Sequence, residues 1–286
     1  MTIIAESGAS KTDWMIDGRL FRTRGINFSV MTAGDIESVV ACIAARAVSP
    51  DAGSAGVSIH FYGAGLVSGE HCSGMAAILE KFFPGACIEC ASDLMAAARA
   101  LWGDCPGVVA ILGTGSNSCS YDGSKITGNV RPGGYILGDE GGGAALGKRF
   151  LSDYIKELVP PGLSRRFMEE YRLGYADIVN SVYKGPNPAG FLASFAPFII
   201  EAAASDRYAE SLVRENIDSF VTRSLLGFRK EGEALEAGVA GSIGAACRKW
   251  LEEAGQEYGI SFVRFIPSPI EALVRYHSGK SPIFAG

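Results

Sequence analysis

The stretch TIIAESGASKTDW, residues 2–14, decides how this chain folds. A short apolar run ends at Glu6, four small residues follow, and a second strand-like run begins at Lys11. Small residues in a turn let backbone N–H groups approach an anion closely, because no bulky side chain stands in the way. The stretch therefore has two interpretations. It is an ordinary tight turn between two strands, or it is a phosphate-binding turn with a metal-binding acid beside it.

A second stretch, VVAILGTGSNSCSYDGSKI at residues 108–126, repeats this pattern. Each stretch has a buried-strand run, a turn of small residues, a second strand and an Asp-Gly pair. Asp17 follows Gly8 by nine residues, and Asp122 follows Gly113 by nine residues. Asp-Gly between strand candidates is a strong hairpin signal. The shared spacing predicts two structurally related domains.

The elements predicted around these stretches alternate between strand and helix. Up to the second glycine turn their order is β-β-β-α-β-α-β-α-β, which is typical of an α/β domain with a mixed sheet. We expect two domains, 1–107 and 108–286, each with a mixed sheet flanked by helices. The second domain carries a helical insertion at about 143–230, and the last helix is expected to pack back on the N-terminal domain.

Composition and charge narrow the class of protein. The chain has 286 residues, 48% of them hydrophobic and 20% charged, with a formal net charge of −5. These values describe a globular protein and give no reason to expect a nucleic-acid partner. No apolar run reaches the roughly 18 residues of a spanning helix, and the N-terminus lacks a leader pattern. We therefore expect a cytoplasmic protein with no membrane partner.

The cysteines do not predict a disulfide framework or a zinc site. There are seven, an odd number, and three histidines. Cys87 and Cys90 form a C-x-x-C, but in a strand, where residues three apart point to opposite faces. We interpret the cysteines as structural.

Three glycine-rich segments each follow a strand candidate: ESGASKT (6–12), LGTGSNS (112–118) and GVAGSIGAA (238–246). One such segment alone is usually only a turn. Three of them together suggest one nucleotide held between two domains. A competing P-loop at GGAALGK (142–148) fails, because Arg149 stands where Ser or Thr is required and no buried strand leads into it.

Four acidic residues are candidates for chemistry. Glu6 ends the first strand, where a carboxylate could hold hydrated Mg²⁺ near phosphates. Asp93 opens a predicted helix and is either functional or a helix N-cap or N-terminal acid. Asp139 and Glu140 lie in GYILGDEGGG (134–143), which is either a ligand-contacting loop or a flexible turn.

These segments together resemble the N-acetylglucosamine kinase family and the related activator ATPases of acyl-CoA dehydratases and reductases. Both belong to the actin/hexokinase/Hsp70 superfamily of duplicated RNase H-like domains. The resemblance runs from residue 2 to about 277, and its most specific part, GYILGDEGGGAALGK at 134–148, favours the sugar kinase. The motifs that carry it are ESGASKTDW, ILGTGSNSC, GGYILGDEGGGAALGK, VAGSIGAA and SPIEALVRYH.

The resemblance implies an actin/hexokinase-type fold and ATP-dependent phosphorylation of an amino sugar, N-acetylglucosamine at its 6-OH, with Mg²⁺ as cofactor. It implies Asp93 as general base and Glu6 at the metal. The phosphate motifs are Gly8, Ala9, Ser10, Lys11 and Thr12, and Gly113, Thr114, Gly115, Ser116 and Asn117. The adenosine motif contains Gly241 and Ser242. The amino sugar is expected at Asn27, Asp93, Thr114, Gly115 and Asp139.

The chain departs from the family at two positions. Glu6 replaces the Asp that normally begins the first motif, and Phe28 replaces the Pro that usually follows Asn27. Two alternatives stay open: an activator ATPase, which would hold an iron–sulfur cluster on paired cysteines, and a non-catalytic sugar or nucleotide sensor. We expect ATP and an amino sugar as partners, and a homodimer as the assembly.

Overall fold

The computed structural model describes residues 1–47, 56–229 and 234–279, which divide into two compact units. Unit 1 comprises Met1–Asp104 and the segment that begins at Pro269, and unit 2 comprises Cys105–Ser268. Each unit has a five-stranded mixed sheet flanked by helices. The predicted α/β fold class, with two mixed sheets each flanked by helices, is confirmed.

The elements of unit 1 follow the predicted order. They are β1 Thr2–Ser7, β2 Lys11–Ile16, β3 Arg19–Arg24, α1 Ala33–Ala47, β4 Ser58–Gly63, α2 Gly69–Phe82, β5 Cys87–Ser92 and α3 Asp93–Trp102. The helical spacing of DIESVVACIAARAV predicts a first helix over 35–48, and residue 48 lies outside the described residues. The sheet order is β3-β2-β1-β4-β5. β1 is antiparallel to β2 and parallel to β4, which explains why its middle residues are apolar and buried on both faces.

The predicted Asp17-Gly18 hairpin turn is confirmed. Both residues have positive φ, 43° and 82°, as a two-residue turn that matches the strand twist requires. The Asp17 carboxylate also accepts a hydrogen bond from the backbone N of Thr2 at 3.0 Å. This turn fixes the register of β2 against β3.

Unit 2 repeats the arrangement of unit 1. Its strands are β6 Gly107–Leu112, β7 Ser116–Tyr121, β8 Ile126–Val130, β9 Leu235–Ala240 and β10 Ile260–Ile266, in sheet order β10-β9-β6-β7-β8. The second Asp-Gly pair lies in a four-residue turn between β7 and β8, where Asp122 Oδ1 accepts from the backbone N of Ser124 and of Lys125 at 2.9 and 2.8 Å. In both units two antiparallel strands on one side of the central strand meet two parallel strands on the other.

Helices fill most of the chain between β8 and β9, as predicted. They are α4 Gly134–Leu137, α5 Gly143–Tyr154, α6 Pro161–Tyr171, α7 Tyr175–Tyr183, α8 Pro188–Ala193, α9 Ala196–Ala202 and α10 Arg207–Phe220, followed by a π-helical turn at Val221–Leu225 and a 3₁₀ turn at Leu226–Phe228. Residue 230, the expected end of this insertion, lies outside the described residues. Phe150, Phe167 and Phe198 meet edge to face in its core.

Three helices complete the two units. α11 Ser242–Ala246 and α12 Arg248–Tyr258 lie in unit 2, and α13 Ile270–His277 lies in unit 1, where it packs against β1, β2 and α3. Among the helices of the described residues, none combines the length and the apolar character needed to cross a membrane.

Candidate active site

Two of the predicted site carboxylates, Glu6 and Asp93, lie at one edge of the unit 1 sheet. β1, β4 and β5 run parallel, and Ser7, Gly63 and Ser92 stand side by side in register where these strands end. The carboxyl edge of parallel strands is the usual place for ligands in such sheets. The two carboxylates are near enough for the charge of Asp93 to contribute to the raised pKa of Glu6.

Glu6 is half-buried, and its pKa is raised to about 7. Burial is the main cause, the charges of Asp13 and Asp93 add to it, and Lys11 opposes it. Asp13 lies directly opposite Glu6 across the β1–β2 ladder. Within the described part of the chain, no hydrogen bond reaches the Glu6 carboxylate. A desolvated carboxylate without a donor is a suitable ligand for a hard cation.

Asp13, which was not predicted from the sequence, pairs with the two cationic side chains near Glu6. Lys11 Nζ lies 2.6 Å from Asp13 Oδ2, and Arg22 Nε lies 2.6 Å from Asp13 Oδ1. Burial opposes ionisation of Asp13, but these hydrogen bonds outweigh it and hold its pKa below the usual value. The signal was available, because the hairpin register places Asp13 opposite both Glu6 and Arg22.

Two buried hydroxyls support the first glycine turn from below. Ser7 Oγ and Thr12 Oγ1 are 2.6 Å apart, Ser7 Oγ accepts from the backbone N of Ile26 at 2.8 Å, and Thr12 Oγ1 donates to a backbone carbonyl at 3.1 Å. Residues 8–11 close the turn, and a Cβ on Gly25 would lie 2.4 Å from the carbonyl oxygen of Gly8. Glycine at 25 is therefore required beneath the turn. Ala9, Ser10 and Lys11 are exposed above it.

Asp93 is the first residue of α3 and does not cap it. Ser92 is the N-cap, since its side chain accepts from the backbone N of Met95 at 3.2 Å. The N-cap interpretation of Asp93 is thus wrong, although Asp93 is an acid in the first turn. Its pKa is raised to about 6 by burial, against hydrogen bonds from the backbone N–H groups of Leu94 and of Asp93 itself. A carboxyl group with that pKa is ionised at neutral pH and remains basic.

Asn27 lies beside the same sheet edge, bridged to the loop after β4. Its Oδ1 accepts from the backbone N of Ser29 at 3.1 Å, so its amide nitrogen faces away from that turn. Phe28, which stands where the family has Pro, packs its ring against His71 and above Gly74, where a Cβ would lie 2.7 Å from the ring. The aromatic side chain thus fixes the loop by packing.

The second glycine turn, at residues 113–115, lies at the end of β6 in unit 2. The backbone N of Gly113 donates to the carbonyl of Gly115 at 2.9 Å. Gly241 adjoins this turn with φ 113°, and a Cβ there would lie 2.2 Å from the carbonyl oxygen of Leu112. Only glycine fits, and Ser242 then begins α11. The structure brings the predicted second phosphate motif and adenosine motif together.

Asp139 lies against the same turn. It has φ 62°, and its Oδ1 accepts from the backbone N of Ser116 at 3.4 Å. A Cβ on Gly115 would lie 2.6 Å from Asp139 Oδ2, so the missing side chain of Gly115 makes room for the carboxylate. Burial raises the pKa of Asp139. Thr114 is half-buried in the same turn, and its carbonyl accepts from the backbone N of Ala144 at 2.8 Å.

The predicted site residues thus fall into two groups. Unit 1 contains the candidate base Asp93, the candidate metal ligand Glu6, the first glycine turn and Asn27. Unit 2 contains the second glycine turn, Asp139 and the adenosine motif. Asn117 is the second residue of β7, and its Oδ1 accepts a hydrogen bond from Asn129 Nδ2 at 2.9 Å.

The C-x-x-C pair on β5 does not favour an iron–sulfur cluster. Cys87 is exposed and Cys90 half-buried, and their odd spacing in a strand points them to opposite faces. Burial raises the pKa of the Cys90 thiol to about 12, which disfavours the thiolate that a metal requires.

A second polar cluster, also missed from the sequence, lies between the unit 1 sheet and α13. The rings of His60 and His277 stack at 3.6 Å, His60 Nδ1 lies 2.9 Å from Glu89, and His277 Nε2 lies 2.8 Å from Tyr62 Oη. The donor atoms of His60, Glu89 and His277 are close enough to share a metal. However, Arg99 donates to Glu89 at 2.7 Å and to Tyr62 at 2.6 Å, and this fixed positive charge opposes a cation there. We interpret the cluster as a packing contact of α13.

No protein-family model and no curated protein matches the chain. Among solved structures, it is 37% identical to a Porphyromonas gingivalis protein that carries N-acetylglucosamine kinase as a provisional name. The match covers 98% of this chain and 99% of that one, with a TM-score of 0.90. The chain belongs to the N-acetylglucosamine kinase family. The resemblance predicted from its motifs is confirmed, and with it the assignment to a family of sugar kinases.

Two further solved structures share the fold of this chain. A second provisionally named N-acetylglucosamine kinase, from Chromobacterium violaceum, is 21% identical over 96% of this chain and 98% of its own, with a TM-score of 0.70. A ROK family glucokinase from Streptomyces griseus, solved with glucose and AMPPNP, is 16% identical over 98% of each chain, with a TM-score of 0.56. At these identities the two likenesses show the fold alone.

Proposed function

We propose that this member of the N-acetylglucosamine kinase family transfers the γ-phosphoryl group of ATP to a hydroxyl of an amino sugar. N-acetylglucosamine, phosphorylated at its 6-OH, is the acceptor we propose. The observation that carries the proposal is the 37% identity along 98% of the chain to the Porphyromonas gingivalis protein. The state of Asp93 supports it independently of that similarity.

Asp93 is the proposed general base. Phosphoryl transfer depends on positioning and on charge neutralisation, and a carboxylate beside the attacking hydroxyl accepts its proton. Asp93 is available for this role because Ser92 already caps the helix. Its pKa of about 6 gives it more proton affinity than an exposed aspartate has, while it stays ionised at neutral pH.

Glu6 is the proposed ligand of Mg²⁺. Its half-buried carboxylate lacks a hydrogen-bond donor in the described part of the chain, which fits a hydrated divalent cation. When bound, Mg²⁺ neutralises charge on the phosphates. Asp13 pairs with Lys11, the last residue of the exposed first turn, so the turn keeps a cation close by.

The two glycine turns supply the proposed ATP contacts. The first contains Gly8, Ala9, Ser10, Lys11 and Thr12. Ala9, Ser10 and Lys11 are exposed, and the buried Thr12 hydroxyl supports the turn from beneath. In the second, Gly113 has open space where a Cβ would stand, so no side chain blocks the approach of a phosphate to this turn. The other proposed ATP residues are Thr114, Gly115, Ser116, Gly241 and Ser242.

The residues proposed to recognise the amino sugar are Asn27, Asp93, Thr114, Gly115 and Asp139. Asn27 offers an amide donor and Asp139 a carboxylate acceptor, the groups that recognise sugar hydroxyls and an acetamido carbonyl. The homodimer stays a prediction from the resemblance.

An ADP-release assay across amino sugars tests the proposal. Purified protein with MgATP is offered N-acetylglucosamine, glucosamine, N-acetylmuramic acid and glucose separately, and a reaction without sugar measures water as acceptor. We expect the largest release with N-acetylglucosamine and a mass increase of one phosphate in the sugar. Sugar binding without ADP release from any acceptor would indicate a sensor, and equal release with and without sugar would indicate an ATPase.

A further inference from the structure

Asn216, in the helical insertion, binds the loop that carries Asp139. Asn216 lies on α10, half-buried, with its side chain at residues 139–142. The backbone N of Gly141 donates to Asn216 Oδ1 at 2.9 Å, and Asn216 Nδ2 donates to the carbonyl of Gly142 at 3.4 Å. Because the backbone N–H can only donate, the oxygen of the amide is the atom that faces Gly141. One side chain thus holds two consecutive peptide groups.

The loop that Asn216 holds is strained. Asp139 has φ 62°, in the left-handed region that costs a non-glycine residue about 1 kcal/mol or more. Gly141 has φ 82° and packs so closely that a Cβ would lie 2.7 Å from Phe220 and 2.8 Å from Leu112. Such a conformation persists only where surrounding contacts hold it.

The contacts that hold the loop divide between its middle and its end. The end is tied to the second glycine turn, because the backbone N of Gly143 donates to the carbonyl of Gly113 at 2.8 Å. The middle is tied to Asn216 through Gly141. The backbone N of Gly142 then donates to the carbonyl of Asp139 at 2.9 Å, which closes a turn directly onto the acid.

We propose that Asn216 is a positioning residue that sets sugar affinity by holding the Asp139 carboxylate against Gly115. This inference rests on the proposed function, because it takes Asp139 as a sugar ligand. Asn216 acts through the backbone of residues 139–142 and touches neither reacting group. Its loss lets Asp139 relax toward an ordinary backbone conformation, which moves the carboxylate away from the turn and weakens sugar binding.

The test compares Asn216→Ala with Asn216→Asp and with a control on the same helix. Asn216→Asp keeps the acceptor for Gly141 and loses the donor to Gly142. Arg214→Ala removes the ion pairs of Arg214 to Glu210 on the same helix and to Glu253 on α12, at 3.2 and 2.7 Å, away from the loop. Steady-state kinetics give KM for sugar, KM for ATP and kcat, and hydrogen exchange reports the Gly141 amide.

We expect Asn216→Ala to raise KM for the sugar about tenfold, with KM for ATP and kcat within about twofold of wild type, and to speed exchange at Gly141. We expect Asn216→Asp to raise KM for the sugar less than Asn216→Ala does, and Arg214→Ala to leave it unchanged. An unchanged sugar KM in an active Asn216→Ala protein overturns the inference and leaves the proposed function intact. Equal rises in both KM values, or the same rise in Arg214→Ala, overturn it in favour of a general structural role. If wild type phosphorylates no sugar, the proposed function fails instead, and the inference fails with it.

Discussion

Glu6 on β1 lies directly opposite Asp13 on β2, and their pKa values shift in opposite directions. Burial raises the pKa of Glu6 to about 7, while hydrogen bonds from two cations overcome the burial of Asp13 and lower its pKa. Asp13 pairs with both Lys11 and Arg22, the two cations near Glu6. Glu6 is therefore left without a hydrogen-bonded cation, and an added cation would stabilise its charged form.

Asp13→Asn is expected to destabilise the protein by about 1–2 kcal/mol at pH 7. Asp13 is 1% exposed and accepts short hydrogen bonds from Lys11 and Arg22, and hydrogen bonds to charged groups are worth more than neutral ones. The cost stays moderate because both cations are largely exposed and can be solvated by water. Urea unfolding followed by tryptophan fluorescence measures the change.

Asp35→Asn is the matched control for that variant. Asp35 also pairs with an arginine, Arg24, but both side chains are about half exposed at 3.3 Å. Exposed pairs contribute little. A loss in Asp35→Asn as large as in Asp13→Asn would mean that the buried position of Asp13 is not the cause.

Glu6→Asp is expected to raise turnover severalfold or leave it equal, and Glu6→Gln to lower it at least about a hundredfold. Asp restores the side-chain length that the family normally has at this position, whereas Gln removes the charge that holds a hard cation. The concentration of Mg²⁺ at half-maximal rate should rise in Glu6→Gln. Full activity of Glu6→Gln would remove Glu6 from the metal site.

The pH profile is expected to show two ionisations on its acid side. Asp93 has a pKa of about 6 and Glu6 of about 7, and each must be ionised to accept a proton or hold a cation. The rate at low substrate concentration should therefore decrease as the pH falls below about 7. In a plot of the logarithm of this rate against pH, the slope should approach two below pH 6. Saturating Mg²⁺ should move the upper ionisation to lower pH, since a bound cation favours the charged carboxylate. A single ionisation unaffected by Mg²⁺ would contradict these assignments.

His277→Gln is expected to make the protein less sensitive to acid. Burial, with a smaller effect of His60, lowers the pKa of His277 to about 4, so the folded state favours the neutral ring. The unfolded chain has the ordinary pKa of about 6.5. The contribution of neutral His277 is thus present above pH 6.5 and lost as the pH falls toward 4.

Urea unfolding of both proteins at pH 6.5 and pH 4.5 measures this effect. Wild type should lose on the order of 2 kcal/mol more than His277→Gln over that interval. The groups that the two proteins share cancel in the difference. Equal losses would show that His277 is not held neutral against the sheet.

The repeated hairpin was predictable from the sequence because its signals are local. Asp17-Gly18 requires positive φ at adjacent residues, and the matching distances from Gly8 and Gly113 identify the same unit twice. The central strands β1 and β6 have neighbours on both sides, and each contains a continuous apolar buried run, at 3–5 and 108–110. The position of Asp93 at a helix start followed from the same local pattern.

The supporting contacts were not predictable, because they join distant parts of the chain. Asn216 reaches Gly141 across 75 residues, and His277 reaches Tyr62 across 215. Nothing local to either residue distinguishes it from an ordinary polar helix position. The cap of α3 was not predicted either: the sequence suggested Asp93 as an N-cap or N-terminal acid, and the backbone geometry shows that Ser92 is the N-cap.

Asp93→Asn is the substitution that bears on the central claim, and its control is Ser92→Ala. Asn keeps the size of the side chain and loses the charge that accepts a proton. Ser92→Ala removes the helix cap, at a cost of about 1 kcal/mol, and leaves the carboxylate in place.

The most direct measurement is sugar-dependent ADP release by Asp93→Asn, with sugar and ATP binding measured by calorimetry on the same protein. We predict a loss of turnover of at least about a thousandfold, with both ligands bound within about threefold of wild-type affinity, while Ser92→Ala keeps most of its turnover. Phosphorylation of N-acetylglucosamine by Asp93→Asn at the wild-type rate would contradict the account.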